Sequence, residues 1–125
     1  MQSSLQNFKA EFFKALAHPV RIKILEALRD SEKSVTELQN ILGIDQSGVS
    51  QQLGVLRTKG LIIARKNGTS AYYSVHDSLL FDLLDVTRAI FNNHLIDTKD
   101  LLRQLETEGE TAQVEKEGLK EELVK

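Results

Sequence analysis

Apolar residues recur every three or four positions through the first half of the chain, a spacing that is typical of amphipathic helices. One such stripe covers residues 5–16, and a second follows Pro19, which suits the first turn of a helix because its missing N–H would be unpaired there. Ser34 and Glu37 have the spacing of a capping box, which predicts the start of a short third helix. Gly43 predicts the tight turn that follows it.

A fourth helix is predicted after Asp45, which we expect to be its N-cap. Its apolar residues Val49, Leu53 and Leu56 share one side, since successive helical residues are about 100° apart. The opposite side and its flanks carry small or uncharged residues and one arginine: Gln46, Ser47, Ser50, Gln51, Gly54, Arg57 and Thr58. The exposed side of a helix in a small domain normally carries Glu and Lys instead. This face therefore predicts a binding surface.

Two runs rich in β-branched and aromatic residues, LIIARK and TSAYYSV, predict the strands of a hairpin. Asn67 and Gly68 lie between them and favour a type I′ turn, in which both central residues have positive φ. Residues 77–95 predict a long helix that is too apolar for a free surface. The chain becomes strongly polar after Thr98, so we expect the helix to end near Glu106 and a frayed or disordered acidic segment to follow.

The expected fold is mainly α with a small β-hairpin. We divide the chain into one domain over residues 1–97 and a polar, acidic C-terminal helix or tail over residues 98–125. The 125 residues, of which 41% are hydrophobic, can build a core without disulfides, and the absence of cysteine excludes thiol nucleophiles and iron–sulfur clusters. No signal peptide or membrane-spanning run is apparent, so we expect a cytoplasmic protein.

The net charge of −2 is unevenly distributed along the chain. Residues 1–75 contain ten basic and six acidic residues, whereas residues 76–125 contain six basic and twelve acidic residues. Four basic residues fall within ten positions that hold no acid: Arg57, Lys59, Arg65 and Lys66. The basic residues therefore adjoin the uncharged helix face, as expected for a surface that meets phosphates.

Two short helices joined by a glycine turn and followed by a basic hairpin describe a winged helix-turn-helix. Ser and Gln can hydrogen-bond to base edges and phosphates, and small residues let a helix enter the major groove. Acids are scarce on this face because phosphates would repel them, and the capping role expected of Asp45 explains the exception. No catalytic Ser, His and acid arrangement or Gly-rich phosphate loop is apparent, so we expect neither an enzyme nor a cofactor.

Three segments, FFKALAHPVRIKILEAL, SVTELQNILGIDQSGVSQQLGVLRTKGLI and RKNGTSAYYSV, resemble the ArsR/SmtB family of bacterial and archaeal transcriptional repressors over residues 8–95. The resemblance implies a winged-helix homodimer that binds a palindromic operator in double-stranded DNA and is released or modulated by an inducer. We expect DNA contacts from the fourth helix and the hairpin, at Gln46, Ser47, Ser50, Gln51, Arg57, Arg65, Lys66 and Asn67. The resemblance places the dimer interface on the first and fifth helices, where we expect Leu5, Phe8, Phe12, Leu84 and Phe91.

The metal sites of the best-known family members are not preserved in this sequence. Their cysteines at the start of the third helix correspond to Ser34 and Thr36, whose hydroxyls cannot supply thiolates. The four ligand positions of the fifth helix correspond to Asp77, Leu79, Ile90 and Asn93, so one ligand of four remains. We therefore expect a repressor that uses neither standard metal site. Gly54 also departs from the family, and it either lets the backbone approach DNA or costs about 1 kcal/mol of helix stability.

Alternatives remain open for the signal and the function. His94 and Asp97 lie one helical turn after the lost ligand pair and could bind a metal together with His76 of a second copy, although an exposed helix end also accounts for them. We expect His18 at the start of the second helix, and His76 with Asp77 as a cap of the fifth. The signal could instead be a small molecule or a partner protein, and the winged helix could be a protein-interaction module.

Overall fold

The fold is mainly helical, as predicted, with one small antiparallel sheet. The computed structural model describes the backbone of residues 4–124 and the side chains of residues 4–109. In chain order the elements are α1 (Ser4–Leu16), α2 (Pro19–Ala27), β1 (Lys33–Ser34), α3 (Val35–Leu42), α4 (Gln46–Thr58), β2 (Ile62–Asn67), β3 (Ser70–Val75) and α5 (Leu79–Val124). The chain divides into two compact units, residues 1–84 and residues 85–125. The domain boundary expected after residue 97 rests on composition and stays a prediction.

The apolar side of α4 lies in the core of the first unit. Val49 and Leu56 have no exposed surface, and Leu53 is 2% exposed. The same core contains other side chains without exposed surface, from α2 and α3: Ile24, Leu25 and Leu38. Full burial of each such side chain contributes about 1.5–3 kcal/mol. The predicted apolar side of α4 is therefore confirmed, and the polar side of this helix faces away from the core.

The helix ends follow local signals in the sequence. His18 is the N-cap of α2, and its Nδ1 accepts a hydrogen bond from the Val20 N–H at 3.1 Å, which confirms its expected place. Both bonds of the capping box are present in α3: Ser34 Oγ accepts from the Glu37 N–H at 3.2 Å, and Glu37 Oε1 accepts from the Ser34 N–H at 3.1 Å. Gly43 ends α3 with a φ of 70°, which glycine adopts without strain.

Asp45 stands at the N-cap position of α4 with an extended backbone, as predicted, but its side chain makes no capping hydrogen bond. Its carboxylate instead accepts a hydrogen bond from the hydroxyl of Ser47. The expectation that capping explains this acid is therefore met in position, but the backbone of Gly48 contributes less to the low pKa of the carboxylate than the Ser47 hydroxyl does. The physical reason is that a nearby side-chain hydroxyl competes with the backbone N–H groups for the same oxygen atoms.

The predicted hairpin of β2 and β3 is confirmed, and we name it the wing (residues 62–75). Its turn differs from the prediction by one residue. Asn67 pairs with Ser70, so the central residues of the loop are Gly68 and Thr69. Only Gly68 has a positive φ, of 66°, which excludes a type I′ turn because that turn requires positive φ at both central residues.

A third strand, which the sequence pattern did not predict, completes the sheet. β1 pairs with β3 through Lys33 and Tyr73 and through Ser34 and Tyr72, so the strand order is β1-β3-β2. Two residues are too few to show the alternation that signals a strand. This short strand joins the connection between α2 and α3 to the wing.

The last helix is longer than predicted. Asp77 Oδ1 accepts a hydrogen bond from the Leu79 N–H at 2.9 Å, which confirms Asp77 as the cap, whereas the hydrogen bond described for His76 joins its backbone N–H to the Leu61 carbonyl. α5 continues through Gly109 to Val124, so the expected helix end near Glu106 is wrong. A glycine costs only about 1 kcal/mol in a helix, and the surrounding Glu, Lys, Leu and Gln residues favour helix. Within the described residues, no helix combines the length and the apolar composition that a membrane crossing would require.

Gly54→Ala is expected to raise the free energy of unfolding by about 0.5–1 kcal/mol, because alanine favours helix and a Cβ here would meet no atom within 4 Å. Gly43→Ala is the matched control. Its site has the same free space, but its φ of 70° strains alanine by about 1–2 kcal/mol. Denaturant unfolding of both variants beside the unmodified chain measures the two effects. If Gly54→Ala were less stable than the unmodified chain, the conclusion that α4 has free space for a methyl group at residue 54 would be wrong.

Candidate nucleic-acid interface

The polar face of α4 is exposed along its length. Gln46, Ser47, Ser50 and Gln51 all lie on the surface, because the opposite side of the helix is held in the core. Among the described residues, the side chains of Ser50 and Gln51 have no hydrogen-bond partner within the chain. Both groups can therefore donate to, or accept from, a molecule that binds this face.

Ser47 differs from these two side chains because its hydroxyl already has a partner. It donates a hydrogen bond to Asp45 Oδ2 at 2.5 Å. This bond is the largest cause that holds the pKa of Asp45 below its usual value, so the carboxylate stays ionised. Asp45 Oδ1 lies beside Gly48, where an added Cβ would stand only 2.8 Å from it. The polar face thus begins with a negative charge.

Arg65 of the wing forms an ion pair that the sequence pattern does not show. Its Nε donates to Glu32 Oε2 at 3.2 Å, and its Nη2 donates to Glu32 Oε1. The guanidinium also lies 5.3 Å from the centre of the Tyr72 ring. Hydrogen bonding to Arg65 lowers the pKa of Glu32, and the same pair raises the pKa of Arg65. Arg65 is therefore held by an acid that lies 33 residues away in the chain, which no local signal could have identified.

The other predicted DNA contacts on the basic side are exposed and unpaired. Arg57 ends α4, Lys66 lies in β2, and neither has an acidic partner among the described side chains. Asn67 is exposed at the end of β2. Lys59, part of the same basic stretch, lies closer to an acid, with its Nζ 3.7 Å from Glu11 Oε2. Arg57 and Lys66 are therefore positive charges without an acidic partner among the described side chains, and both are available to bind phosphates.

The residues predicted for a dimer interface fall into two groups. Leu5 and Phe8 of α1 are 58% and 75% exposed, and Phe91 of α5 is 62% exposed. Phe12 and Leu84 are half-buried and pack against the core of their own chain. The first three side chains are available to a partner, whereas the last two are partly used by the fold itself.

Two of the side chains at the family's metal positions have structural roles in this chain. Ser34 caps α3 and Asp77 caps α5. His94 and Asp97, the atypical pair, are exposed on α5. Within the described part of the chain, no three His, Asp or Glu residues converge as they would around a metal ion.

Comparison with known sequences links this arrangement to transcriptional regulators. The sequence profile of a family described as bacterial regulatory protein, arsR family, matches residues 18–64. The uncharacterized HTH-type transcriptional regulator Rv0081 of Mycobacterium tuberculosis is 43% identical over 106 residues, which cover 84% of this chain and 93% of that protein. The biofilm growth-associated repressor of Xylella fastidiosa is 38% identical over 85 residues, which cover 68% of this chain and 75% of that protein.

Solved structures share the fold. The crystal structure of M. tuberculosis Rv0081 matches with a TM-score of 0.69 and 45% identity over 75% of this chain and 95% of that chain. The solution structure of the Mb0332 fragment from Mycobacterium bovis matches with a TM-score of 0.68 and 29% identity over 75% of this chain and 87% of that chain. That fragment is described as a homodimeric winged helix-turn-helix DNA-binding domain. The predicted winged helix-turn-helix is therefore confirmed, with α3 and α4 as its two helices.

Glu32→Gln is expected to strengthen binding to duplex DNA of random sequence and to steepen its salt dependence by up to about one unit, because it frees Arg65 for one more phosphate contact. Lys66→Ala should weaken the same binding and reduce the salt slope by about one unit. Fluorescence anisotropy over a range of salt concentrations measures both slopes.

Glu26→Gln is the matched control for Glu32→Gln. Glu26 is an exposed carboxylate on α2, so its replacement changes the net charge by the same amount. Equal slopes for the two glutamine variants would show only a general effect of charge and would contradict the release of Arg65.

Proposed function

The chain belongs to the ArsR family of bacterial regulatory proteins and is a DNA-binding transcriptional regulator, not an enzyme, and we propose that it is a repressor that binds an inverted-repeat operator as a homodimer. The observation that carries this proposal is the exposed polar face of α4, whose direction is fixed by a fully buried opposite side. Unpaired hydrogen-bonding groups on such a face can contact the edges of base pairs.

We infer that α4 is the recognition helix and enters the major groove with this face. The groove is about 12 Å wide and admits a helix, and small residues such as Ser50 and Gly54 permit a close approach. The Gln51 amide has a donor and an acceptor, which match N7 and N6 of adenine in a bidentate contact. Its lack of a partner among the described residues supports this role, since no internal hydrogen bond would have to break.

The wing and the end of α4 would hold the DNA backbone. Arg57 and Lys66 are unpaired cations among the described residues, and Asn67 can donate a neutral hydrogen bond. Phosphate contacts fix the position of a protein on DNA but carry no sequence information of their own. Because the proposed ligand is chromosomal DNA, we expect the protein to act in the cytoplasm.

The homodimer is supported by apolar side chains that each unit leaves uncovered. On α1 these are Leu5, Phe8 and Phe13, and on α5 beyond residue 85 they are Val86, Ile90, Phe91 and Leu95. Exposed large apolar side chains that recur along one helix are often covered by a protein interface. A two-fold axis would place two recognition helices about 34–36 Å apart, one helical turn of DNA, so the operator should be an inverted repeat.

We propose that the signal is not a metal at the standard family positions. Ser34 and Asp77, which occupy two of those positions, are already engaged as helix caps. A cavity of about 420 Å³ in the first unit has the size of a small-molecule site, and its lining includes the apolar Leu80 and Leu83 together with Lys59, His76 and Asp77. This cavity favours, as the effector, a small molecule that combines an apolar body with a polar or charged group.

Gln51→Ala is expected to lower affinity for the operator by about 1–3 kcal/mol per half-site, because it removes a base-edge contact. Affinity for random DNA should change little. Selection from a randomised duplex library supplies the operator, and anisotropy measures both affinities. Gln104→Ala, at an exposed glutamine on α5, is the matched control. An unchanged ratio of operator to random-DNA affinity in Gln51→Ala would contradict the assigned recognition face.

The chain is expected to sediment at micromolar concentration as a species of twice 14.1 kDa. Phe8→Glu and Phe91→Glu should shift it toward the monomer, because each places a charge in an apolar interface. Ile41→Glu, at an apolar residue of α3 that is 56% exposed, is the control and should remain dimeric. A single 14.1 kDa species for the unmodified chain would contradict the dimer.

A further inference from the structure

The start of α4 differs chemically from the rest of its polar face. A serine hydroxyl has one proton to donate and two lone pairs with which to accept. The hydroxyl of Ser47 donates to Asp45 Oδ2 at 2.5 Å, so Ser47 can only accept a further hydrogen bond. Ser50 and Gln51, which have no side-chain partner among the described residues, can both donate and accept.

Asp45 adds further acceptors at the same place. Its carboxylate is exposed and accepts from the Ser47 hydroxyl, and the backbone of Gly48 makes a lesser contribution to its low pKa, so lone pairs remain free on the two oxygen atoms. The absence of a side chain at Gly48 leaves room for the Asp45 carboxylate, because a Cβ at residue 48 would stand only 2.8 Å from Asp45 Oδ1. Asp45 and Ser47 together accept hydrogen bonds and donate none, and we name them the acceptor patch.

An acceptor patch matches only some of the groups that DNA presents. Phosphate oxygens, O6 and N7 of guanine, and O4 of thymine are acceptors themselves and cannot bond to it. The donors in the major groove are the amino groups at N6 of adenine and N4 of cytosine. Every base pair presents one of these amino groups, so the patch can distinguish which strand carries it.

We propose that Asp45 and Ser47 are specificity-determining residues that select adenine or cytosine over guanine or thymine on one strand, at one position of each half-site. The proposal rests on α4 as the recognition helix. Asp45 acts in two ways: it accepts from the amino group, and it holds the Ser47 hydroxyl in the accepting orientation. Its charge also disfavours contact with phosphates, so the start of α4 contributes to discrimination and not to general DNA affinity.

The test is selection from a randomised duplex library, with the base frequencies of the enriched operator as the readout. The unmodified protein is expected to enrich an inverted repeat with one position per half-site restricted to adenine or cytosine. Asp45→Asn should lose that restriction, because an amide can donate and the Ser47 hydroxyl is no longer held by a carboxylate. Asparagine is as good an N-cap residue as aspartate, so α4 is preserved.

Two further variants separate geometry from charge. Gly48→Ala keeps both members of the acceptor patch but forces the Asp45 carboxylate to move, so the same restriction should weaken. Asp82→Asn is the control, since it makes the same chemical change at an exposed aspartate of α5 outside the polar face, and it should leave this position unchanged. Thermal unfolding of each variant checks that the fold is retained.

A modified operator tests the amino group itself. Replacing the selected base with an analogue that has hydrogen in place of the amino group should reduce affinity about tenfold for the unmodified protein and leave Asp45→Asn nearly unaffected. If Asp45→Asn enriches an operator with the same restriction to adenine or cytosine, the proposed role of the acceptor patch is wrong, whereas α4 as the recognition helix is unaffected. Failure of the unmodified protein to enrich any inverted repeat would overturn the proposed function as well.

Discussion

The complete burial of one side of α4 is the constraint on which the candidate interface depends. Val49 and Leu56 have no exposed surface, so the helix cannot rotate about its axis without exposing side chains whose burial stabilises the fold by about 1.5–3 kcal/mol each. Because this core also contains α2 and α3, the direction of the polar face is set by the whole first unit. The exposed residues of α4 lie outside this core, so their chemistry can differ without exposing it.

Two acids limit how basic the interface is. Glu32 pairs with Arg65 of the wing, and Asp45 stands at the start of the polar face. Phosphate attraction supplies most sequence-independent binding, and a genome offers a very large excess of non-specific sites. A surface with fewer free cations depends more on contacts with base edges. The two acids therefore favour discrimination between sites over total affinity for DNA.

The sequence predicts the features that depend on neighbouring residues. Ser34 and Glu37 are three positions apart, and the apolar stripe of α4 repeats within two turns, so the cap of α3 and the polar face of α4 follow from local patterns. The ion pair of Glu32 and Arg65 joins positions 33 residues apart, and the strands β1 and β3 pair across a similar separation in the sequence. The turn at Gly68 lies between these cases: its presence is a local signal, whereas its register depends on the pairing of two whole strands.

Ser34 belongs to two elements at once. Its backbone pairs with Tyr72 of β3, and its hydroxyl accepts the N–H of Glu37 in the first turn of α3. If β1 separated from the wing, Ser34 would no longer be held where its hydroxyl caps the start of α3. Local opening in proteins proceeds through such contiguous cooperative segments. We therefore expect the β3 residues that pair with β1 to open together with the first turn of α3, so a molecule that immobilises the wing should slow solvent exchange at the start of α3.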